Sequence, residues 1–182
     1  MIATIHIGHV LRETAATPYR NLITRPTGAA VRDRIEAALA RSDCAIALLD
    51  FSDVDLLDYS CADEVVAKLL MACRENNGRV VVLQGLSEDQ LEAIDQVLSH
   101  HGLAVVAVAS ADGASMPRLV GSVPADARAA FGGICDRGAV SAGELAFTLG
   151  WSEARSREAL LALLGRRVVR SEGEIYLPLT IA

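Results

Sequence analysis

Short apolar runs alternate with amphipathic helical segments through the first two thirds of the sequence, and this alternation constrains the fold more than any other feature. Runs typical of buried strands lie at 44–49, 79–83 and 103–109, and apolar residues recur at helical spacing over 27–41 and 62–73. Parallel neighbouring strands need a crossover connection, which is usually a helix. The alternation therefore predicts an α/β domain with a largely parallel sheet, in which the strand at 44–49 is covered on both faces.

Two further segments complete this predicted domain. A starting strand or hairpin is expected at 2–12, where His6 and His9 would face opposite sides of a strand and so could not chelate one metal ion. Ser87 and Gln90 have the spacing of a capping box, which predicts a helix that begins beside them.

The composition limits the classes of protein to consider. The chain has 182 residues, of which 52% are hydrophobic, enough for one domain of ordinary size and a small appended one. No apolar stretch approaches the roughly 20 residues of a membrane span, and the start lacks the basic flank of a signal peptide, so we expect a cytoplasmic protein with no membrane partner. The four cysteines show no CxxC pairing, which suggests buried hydrophobic residues, and neither a zinc site nor a disulfide framework is expected.

The net charge of −6 is confined to one part of the chain. Residues 1–121 hold 10 Lys/Arg against 16 Asp/Glu, whereas residues 122–182 hold 7 against 7. The acidic part, residues 1–121, is therefore a poor candidate for binding the phosphates of nucleic acids. The neutral part would bind DNA only through a local basic face.

An acidic turn at 48–64 is the strongest candidate for a functional site. An apolar strand ends there in acidic residues and leads directly into a helix start, with Asp58, Tyr59 and Ser60 at the corner. The N–H groups of a first helical turn are unpaired, so a hydroxyl or carboxylate at this place can be bound, exposed or modified.

The chain is organised differently after this first domain. The segment 111–123 contains Ser, Gly, Asp and proline with little periodicity, and it is predicted to be a linker. Helices are then expected over 125–137, after the capping box of Ser141 and Glu144, and after Ser152. Two strand-like runs around a turn at 171–174 follow, and three helices with a hairpin are the layout of a winged helix.

The first region resembles the STAS-like bacterial regulatory domains that are related to anti-sigma-factor antagonists. The resemblance covers residues 1–110, and it rests on the segment LLDFSDVDLLDYSCADEVVAKLL and, more weakly, on TRPTG at 24–28. In the better-known antagonists an Asp-Ser pair stands at this turn, and a kinase that is also an anti-sigma factor phosphorylates the Ser. Here Asp58 matches the Asp, Tyr59 stands in the place of the Ser, and Ser60 follows one position later.

This resemblance implies a regulatory surface that binds a protein partner or is phosphorylated. Its residues would be Asp58, Tyr59, Ser60, Asp63 and Glu64. The implied partner is a protein such as a kinase or an anti-sigma-like factor, and a homodimer is a further alternative. On this interpretation Ser60→Asp or Glu64→Arg weakens partner capture and leaves folding intact.

Plainer roles are open for the same residues. Ser60 and Asp58 are residue types that cap helix starts by accepting an N–H bond. Asp63 and Glu64 are common in a first helical turn, because negative charge is favourable at a helix amino end.

The second region, 124–182, resembles a bacterial winged helix-turn-helix domain. The pattern is Glu-Leu-Ala at 144–146, Leu-Gly-Trp-Ser at 149–152, and then Arg157 with a strand at 168–170. A helix, a glycine-containing turn and a second helix would present a recognition helix to the major groove. The candidate DNA-binding residues are Arg155, Arg157, Arg166 and Arg170.

Two alternatives to DNA contact remain for this region. The arginines would form a solvated helix face if they paired with Glu153 and Glu158. Since the region is neutral and contains no lysine, a winged helix that binds a protein is nearly as well supported as one that binds DNA.

Common enzyme signatures do not occur in the sequence. There is no Gly-rich phosphate loop, GxSxG elbow or HExxH motif, so we expect neither catalysis nor a cofactor. The leading hypothesis is a non-enzymatic bacterial regulator, in which a STAS-like α/β domain binds a protein and a small winged helix (α+β) binds DNA or protein. The alternative is a DNA-binding transcription factor whose STAS-like domain serves dimerisation or sensing.

Overall fold

The computed structural model describes residues 1–15, 18–76, 78–108 and 117–179, and it has a mixed α/β fold. The chain divides into two compact units, Met1–Gly121 and Ser122–Ala182, called the first and the second unit below. Within the described ranges, every helix is too short or too polar to cross a membrane.

The first unit alternates strands and helices, as the apolar pattern predicts. In chain order its elements are β1 (Ile2–His6), α1 (Ile7–Ala15), β2 (Asn21–Leu22), α2 (Arg25–Ala40), β3 (Ile46–Asp50), β4 (Leu56–Leu57), α3 (Tyr59–Ala62), a π-helical segment (Asp63–Lys68), α4 (Leu69–Asn76), β5 (Val80–Gln84), α5 (Glu88–His100), β6 (Ala104–Val108) and β7 (Arg118–Gly121). The helical residues from Tyr59 to Asn76 follow one another without a break, and we call them the composite helix.

Five strands form the main sheet in the order β1-β3-β5-β6-β7. The first four run parallel, and β7 runs antiparallel to β6, with Gly121 opposite Ala104. The α/β class is thereby confirmed. The strands β2 and β4 form a separate parallel pair, which places Asn21 opposite Leu56 and Leu22 opposite Leu57.

Alternate strand residues supply the core of this unit. Leu49 and Leu83 are fully buried in one apolar cluster with Ile35 of α2 and Ile94 of α5. Leu48, which points to the opposite face of the sheet, is buried as well. The prediction of a strand covered on both faces is confirmed here.

The start of the chain differs from the expected strand or hairpin at 2–12. Only β1 is a strand, and α1 begins directly after it at Ile7. Ile7 and Leu11, one helical turn apart, are both fully buried, and this spacing is helical. His9 therefore lies on α1, so the expectation that it faces away from His6 across one strand was wrong.

The segment predicted to be a linker contains a strand. Arg118–Gly121 completes the main sheet as β7, with Leu119 opposite Val106 and Val120 opposite Val105. The first unit accordingly extends to Gly121 instead of 110. Four residues beside a proline are too few for an alternating pattern to indicate a strand in the sequence. The strand β7 is stabilised instead by its pairing with β6, which is distant in the sequence.

The second unit contains three helices and a small antiparallel sheet. Its elements are α6 (Ala125–Arg137), β8 (Val140–Ser141), α7 (Ala142–Leu149), α8 (Glu153–Gly165), β9 (Val169–Glu172) and β10 (Ile175–Pro178), and the sheet order is β8-β10-β9. The helix α8 packs against α6 and α7. Ser141 and Glu144 form the predicted capping box, and Gly150 ends α7 in the left-handed conformation.

Gly121 generates a stability prediction for β7. Its φ is 101°, and an added Cβ would lie 2.3 Å from the carbonyl oxygen of Leu103, which is backbone and cannot move aside. We expect Gly121→Ala to destabilise the first unit by about 2–4 kcal/mol in urea unfolding followed by circular dichroism.

Gly102→Ala is the matched control for this variant. Gly102 also has a positive φ, of 64°, but nothing lies within 4 Å of its added Cβ. It should cost only the backbone strain of about 1 kcal/mol. Equal effects of the two substitutions would contradict the close approach at Gly121.

Candidate functional site

The two segments that carry the STAS resemblance lie side by side. Thr24 caps α2, Pro26 is in its first turn, and Gly28 is inside the helix instead of ahead of it. A Cβ on Gly28 would lie 3.1 Å from the Cα of Cys61 and 3.2 Å from the Cβ of Glu64. The absence of a side chain at Gly28 thus lets α2 approach the composite helix closely.

Asp58 caps the start of the composite helix. Its Oδ1 accepts hydrogen bonds from the N–H of Cys61 and from the hydroxyl of Ser60, each at 2.8 Å. The alternative in which Ser60 is the N-cap was therefore wrong, because Ser60 is the second residue of the helix and donates to the cap. Its hydroxyl is half-buried and already engaged.

Cys61 is a structural thiol at this corner. Its Sγ donates to the carbonyl oxygen of Thr24 at 3.1 Å, which links the starts of the two helices. Burial, together with the nearby Asp58 carboxylate, raises the pKa of Cys61 to about 11. At neutral pH the group is a thiol, which is a poor nucleophile and a poor metal ligand.

Glu64 lies at the centre of an ion-pair cluster. The residue is only 3% exposed, yet its carboxylate contacts Arg25 at 2.7 Å, Arg32 at 2.5 Å and also Lys68. Burial alone would raise the pKa of Glu64, but the hydrogen bonds from Lys68 and Arg25 and the charge of Arg32 lower it below its ordinary value. We call Glu64 with these three cations the Glu64 cluster.

Asp63 extends the cluster to a third helix. It accepts hydrogen bonds from Arg25 at 2.7 Å and from His101, at the end of α5, at 2.8 Å. Its burial would raise its pKa, but the bonds from Arg25 and His101 lower it. Asp63 therefore connects α2, the composite helix and α5 at one point.

A π-helical segment begins at this point. Asp63 and Glu64 are its first two residues and Lys68 is its last. Short π segments are rare, and they occur often at functional sites. Nothing in the apolar spacing of the sequence predicts it.

The exposed side of the corner combines apolar side chains with hydroxyls. Ile23, Leu56 and Tyr59 are 41%, 56% and 52% exposed, respectively. The β2–β4 pair and the bond from the N–H of Asp58 to the carbonyl of Leu22 keep them on adjacent segments. We call Ile23, Leu56, Tyr59 and Ser60 the corner surface.

A shallow groove adjoins the corner surface. Its volume is about 560 Å³, and its lining includes Arg25, Tyr59, Ser60, Asp63, His100 and His101. Sequence reasoning missed Arg25, Ile23 and Leu56. Leu22, Ile23, Leu56 and Leu57 are all apolar, so no alternation in the sequence distinguishes the two exposed residues from the two buried ones.

Glu64 requires a correction to the predicted surface. Asp58, Ser60 and Asp63 are half-buried and Tyr59 is exposed, but Glu64 lies in the interior. Contrary to the expectation from the sequence, we therefore expect Glu64→Arg to impair folding. That substitution would place a fourth cation among three, without the carboxylate that they share.

A second polar group lies where β1 and β3 end. His6 Nδ1 lies 3.1 Å from Asp50 Oδ2, while the hydroxyl of Ser52 donates to Asp50 Oδ1 at 2.6 Å. Burial would raise the pKa of Asp50, but the bonds from Ser52 and Gln84 lower it. Because the serine hydroxyl donates to the aspartate and not to the imidazole, this is not the geometry of an activated nucleophile.

The arginines predicted on the recognition helix are both paired. Arg155 donates to Asp126 through Nε and Nη2, at 2.7 Å each, and its guanidinium lies over the ring of Trp151, 4.4 Å from the centroid. Arg157 pairs with Glu153 at 2.6 Å, as in the solvated-face alternative. Arg155 departs from that alternative, because its partner is on α6.

The other two candidate arginines also have partners in the second unit. Arg166 is half-buried and donates to the carbonyl oxygens of Ser122 and Ala162, both at 3.1 Å. Arg170 pairs with Glu172 at 2.9 Å in the hairpin. The structure therefore does not bring the four predicted DNA-binding residues together as one unpaired basic face.

Neither a group of metal ligands in the described ranges nor a match to a known protein was found. Within the described ranges, no three His, Cys, Asp or Glu side chains are grouped so that they could hold a metal ion. The chain matches no protein-family model, no curated protein and no solved structure.

The Glu64 cluster generates a pH-dependent prediction. We expect Glu64→Gln to lower the free energy of unfolding at pH 7 by about 2–4 kcal/mol, because three cations lose their shared carboxylate. The pKa of Glu64 is lower in the folded state than in the unfolded state. Its contribution is therefore complete above the unfolded pKa and disappears as the pH falls through the folded value.

Urea unfolding at pH 7 and at about pH 3 measures this effect, since the difference in stability between the wild type and the variant should shrink as the pH falls below the unfolded pKa of a glutamate, about 4.3. Asp33→Asn is the matched control, because Asp33 also contacts Arg32, at 3.2 Å, but its side chain is 69% exposed. It should change stability by less than about 0.5 kcal/mol. A constant difference between wild type and Glu64→Gln at both pH values would contradict the assigned ionisation.

Proposed function

We propose that the chain is a non-enzymatic, cytoplasmic bacterial regulatory protein. In this proposal the first unit is a STAS-like domain that binds a protein partner through the corner surface. The second unit is a winged helix that makes a further contact, with a protein in preference to DNA. In this proposal the protein acts by binding its partner and does not convert a substrate.

One observation carries the proposal for the first unit. Ile23, Leu56 and Tyr59 are exposed on adjacent segments, next to the pair of helices that the Glu64 cluster connects. Exposed aromatic and aliphatic side chains on a rigid frame are typical of protein interfaces, because little conformational entropy is lost when they are covered. The adjoining groove adds hydrogen-bonding groups at the rim.

The chemistry of the corner also favours binding over catalysis. Asp63 is paired with Arg25 and His101, and Glu64 with three cations, so neither carboxylate is placed as a proton donor. The raised pKa of Cys61 keeps it a thiol. These ionisable groups therefore form the ion pairs and hydrogen bonds that stabilise the corner, and they are not placed for catalysis.

Phosphorylation would act on this surface in a defined way. A phosphoryl group on Ser60 would remove the hydroxyl proton that is donated to Asp58 and would bring a charge of about −2 next to that carboxylate. Phosphorylation of Tyr59, whose side chain is exposed, leaves the cap intact. Modification at Ser60 would therefore loosen the helix start, whereas modification at Tyr59 would alter only the contact surface.

For the second unit, the pairing of the arginines favours a protein contact. Each of the four candidate DNA-binding arginines already donates to a carboxylate or a carbonyl oxygen within the unit. A phosphate backbone would have to compete with these bonds, and the unit offers no net positive charge to attract it.

Affinity capture with single variants tests the corner surface. We expect Tyr59→Ala and Leu56→Ser each to reduce capture of the partner from a native lysate by about tenfold or more, because each removes apolar contact area at the interface. Their urea midpoints should match that of the wild type. Quantitative mass spectrometry of the captured proteins, and of Ser60 and Tyr59, is the measurement.

Phe147→Ala is the matched control for these variants. Phe147 is 92% exposed, but it lies on α7 of the second unit. It should leave this capture unchanged. If Tyr59→Ala and Leu56→Ser retained full capture while Phe147→Ala abolished it, binding would have to be reassigned to the second unit.

The second candidate function is a DNA-binding transcription factor with a STAS-like dimerisation or sensory domain. The succession of α7, a turn at Gly150, α8 and the β9–β10 hairpin favours it, because this order is that of a winged helix-turn-helix.

A gel-shift assay separates the two candidates. Under our proposal no complex with DNA forms even at about 50 mM salt, where phosphate contacts are strong. A salt-sensitive complex that disappears in Arg155→Ala with Arg157→Ala would favour the transcription factor. Circular dichroism must accompany this variant, since Arg155 also connects α8 to Asp126.

A further inference from the structure

Three polar residues end three neighbouring parallel strands of the main sheet. His6 is the last residue of β1, Asp50 of β3 and Gln84 of β5, and the strand register places His6 opposite Asp50 and Asp50 opposite Gln84. The residues before them in these strands are mostly apolar. The carboxyl ends of parallel strands are the edge at which α/β sheets bind their ligands. We call His6, Asp50, Gln84 and the neighbouring Ser52 the strand-end group.

The carboxylate of Asp50 is buried and held in one orientation. Its side chain is only 11% exposed, and Oδ1 accepts hydrogen bonds from the N–H of Ser52 at 3.0 Å and from the Ser52 hydroxyl at 2.6 Å. Gln84 donates to this carboxylate as well. Gly85 makes room for the arrangement, because an added Cβ would lie 2.2 Å from Ser52 Oγ and 2.8 Å from Asp50 Oδ1. These contacts leave Oδ2 of Asp50 directed towards His6.

His6 presents its second ring nitrogen to the solvent. Its Nδ1 lies 3.1 Å from Asp50 Oδ2, its side chain is 62% exposed, and within the described ranges no hydrogen bond reaches its Nε2. A carboxylate beside Nδ1 favours the tautomer that carries its proton there, and this tautomer has a lone pair on Nε2. The imidazole, and not the hydroxyl of Ser52, is therefore the available nucleophile of the strand-end group.

We propose that His6 accepts a phosphoryl group at Nε2 from a phosphoramidate, a donor in which phosphorus is bonded to a protonated nitrogen. The lone pair of Nε2 forms the new N–P bond, the P–N bond of the donor breaks, and the donor nitrogen leaves as a neutral amine. The proton on Nδ1 stays in place, so the phosphorylated ring carries a positive charge, which the carboxylate of Asp50 offsets. Asp50 is a positioning residue in this step, because it contacts the ring and not the phosphorus.

This site goes beyond the proposed function, because it uses neither the corner surface nor the second unit. Its chemistry also differs from that of a phosphorylated Ser60 or Tyr59, since a phosphorylated imidazole is labile in acid and those two esters are not. Loss of the site would leave capture of a partner by the corner surface unchanged, so the two proposals fail independently.

Labelling of the full chain with potassium phosphoramidate tests the proposal. His9 is the matched internal control, because its side chain is 66% exposed and it too has a carboxylate partner, Glu13. That contact is 3.4 Å long and uses Nε2, and Glu13 is 53% exposed, so solvent screens it. We expect His6 to be phosphorylated about tenfold or more faster than His9, and at Nε2. Mass spectrometry at neutral pH identifies the residue, and phosphorus NMR identifies the ring nitrogen.

Two variants separate a positioning role of Asp50 from a structural one. Asp50→Asn keeps the shape of the side chain but removes its charge, so it should lower the labelling of His6 relative to His9 by about tenfold. Partial unfolding would instead make the two histidines react alike, as they should in urea. Ser52→Ala removes one hydrogen bond to Asp50 without removing the charge. It should keep the labelling ratio within about threefold of that of the wild type.

The outcomes of this labelling experiment either support or overturn the proposal. Faster labelling of His6 at Nε2 that depends on the charge of Asp50 would support it. Equal labelling of His6 and His9 in the folded chain, attachment of the phosphoryl group to Nδ1 of His6, or undiminished labelling of His6 in Asp50→Asn would each overturn it. The strand-end group would then be a structural ion pair only.

Discussion

The buried carboxylate of Glu64 is the interaction on which the corner depends. A carboxylate withdrawn from water is stable only if cations and hydrogen bonds replace its hydration, and Arg25, Arg32 and Lys68 supply them. Because two of these cations belong to α2 and one to the composite helix, the two helices cannot separate without exposing an unpaired charge cluster. Gly28 permits the approach that the cluster requires.

Local features of the fold could be predicted from the sequence, because the interactions that produce them span a few residues. The capping boxes at Ser87 and Ser141 and the helix at 125–137 are of this kind. The ion pair of Arg25 with Glu64 joins residues 39 positions apart, and periodicity carries no information about such contacts. The strand β7 and the π segment were missed for related reasons, since β6 stabilises the first and no residue pattern indicates the second.

The structure gives the residues of the predicted site a chemistry different from the one that the sequence suggested. The acidic turn suggested accessible carboxylates, whereas Asp63 and Glu64 are occupied by cations and Asp58 caps the helix. In both units the charged candidate residues named above form ion pairs or hydrogen bonds with other residues of the same unit. What remains outward on the corner surface is apolar area and hydroxyl groups, so recognition there would depend on shape more than on net charge.

Lys68 has a further consequence for chemical work on this protein. It is the only lysine in the sequence, since every other basic side chain apart from histidine is an arginine. Its side chain is 38% exposed, and its ammonium group donates to Glu64. Apart from the α-amino group, amine-selective reagents would therefore label a single place, and the reaction rate at Lys68 would report whether the helix pair at the corner is closed or open.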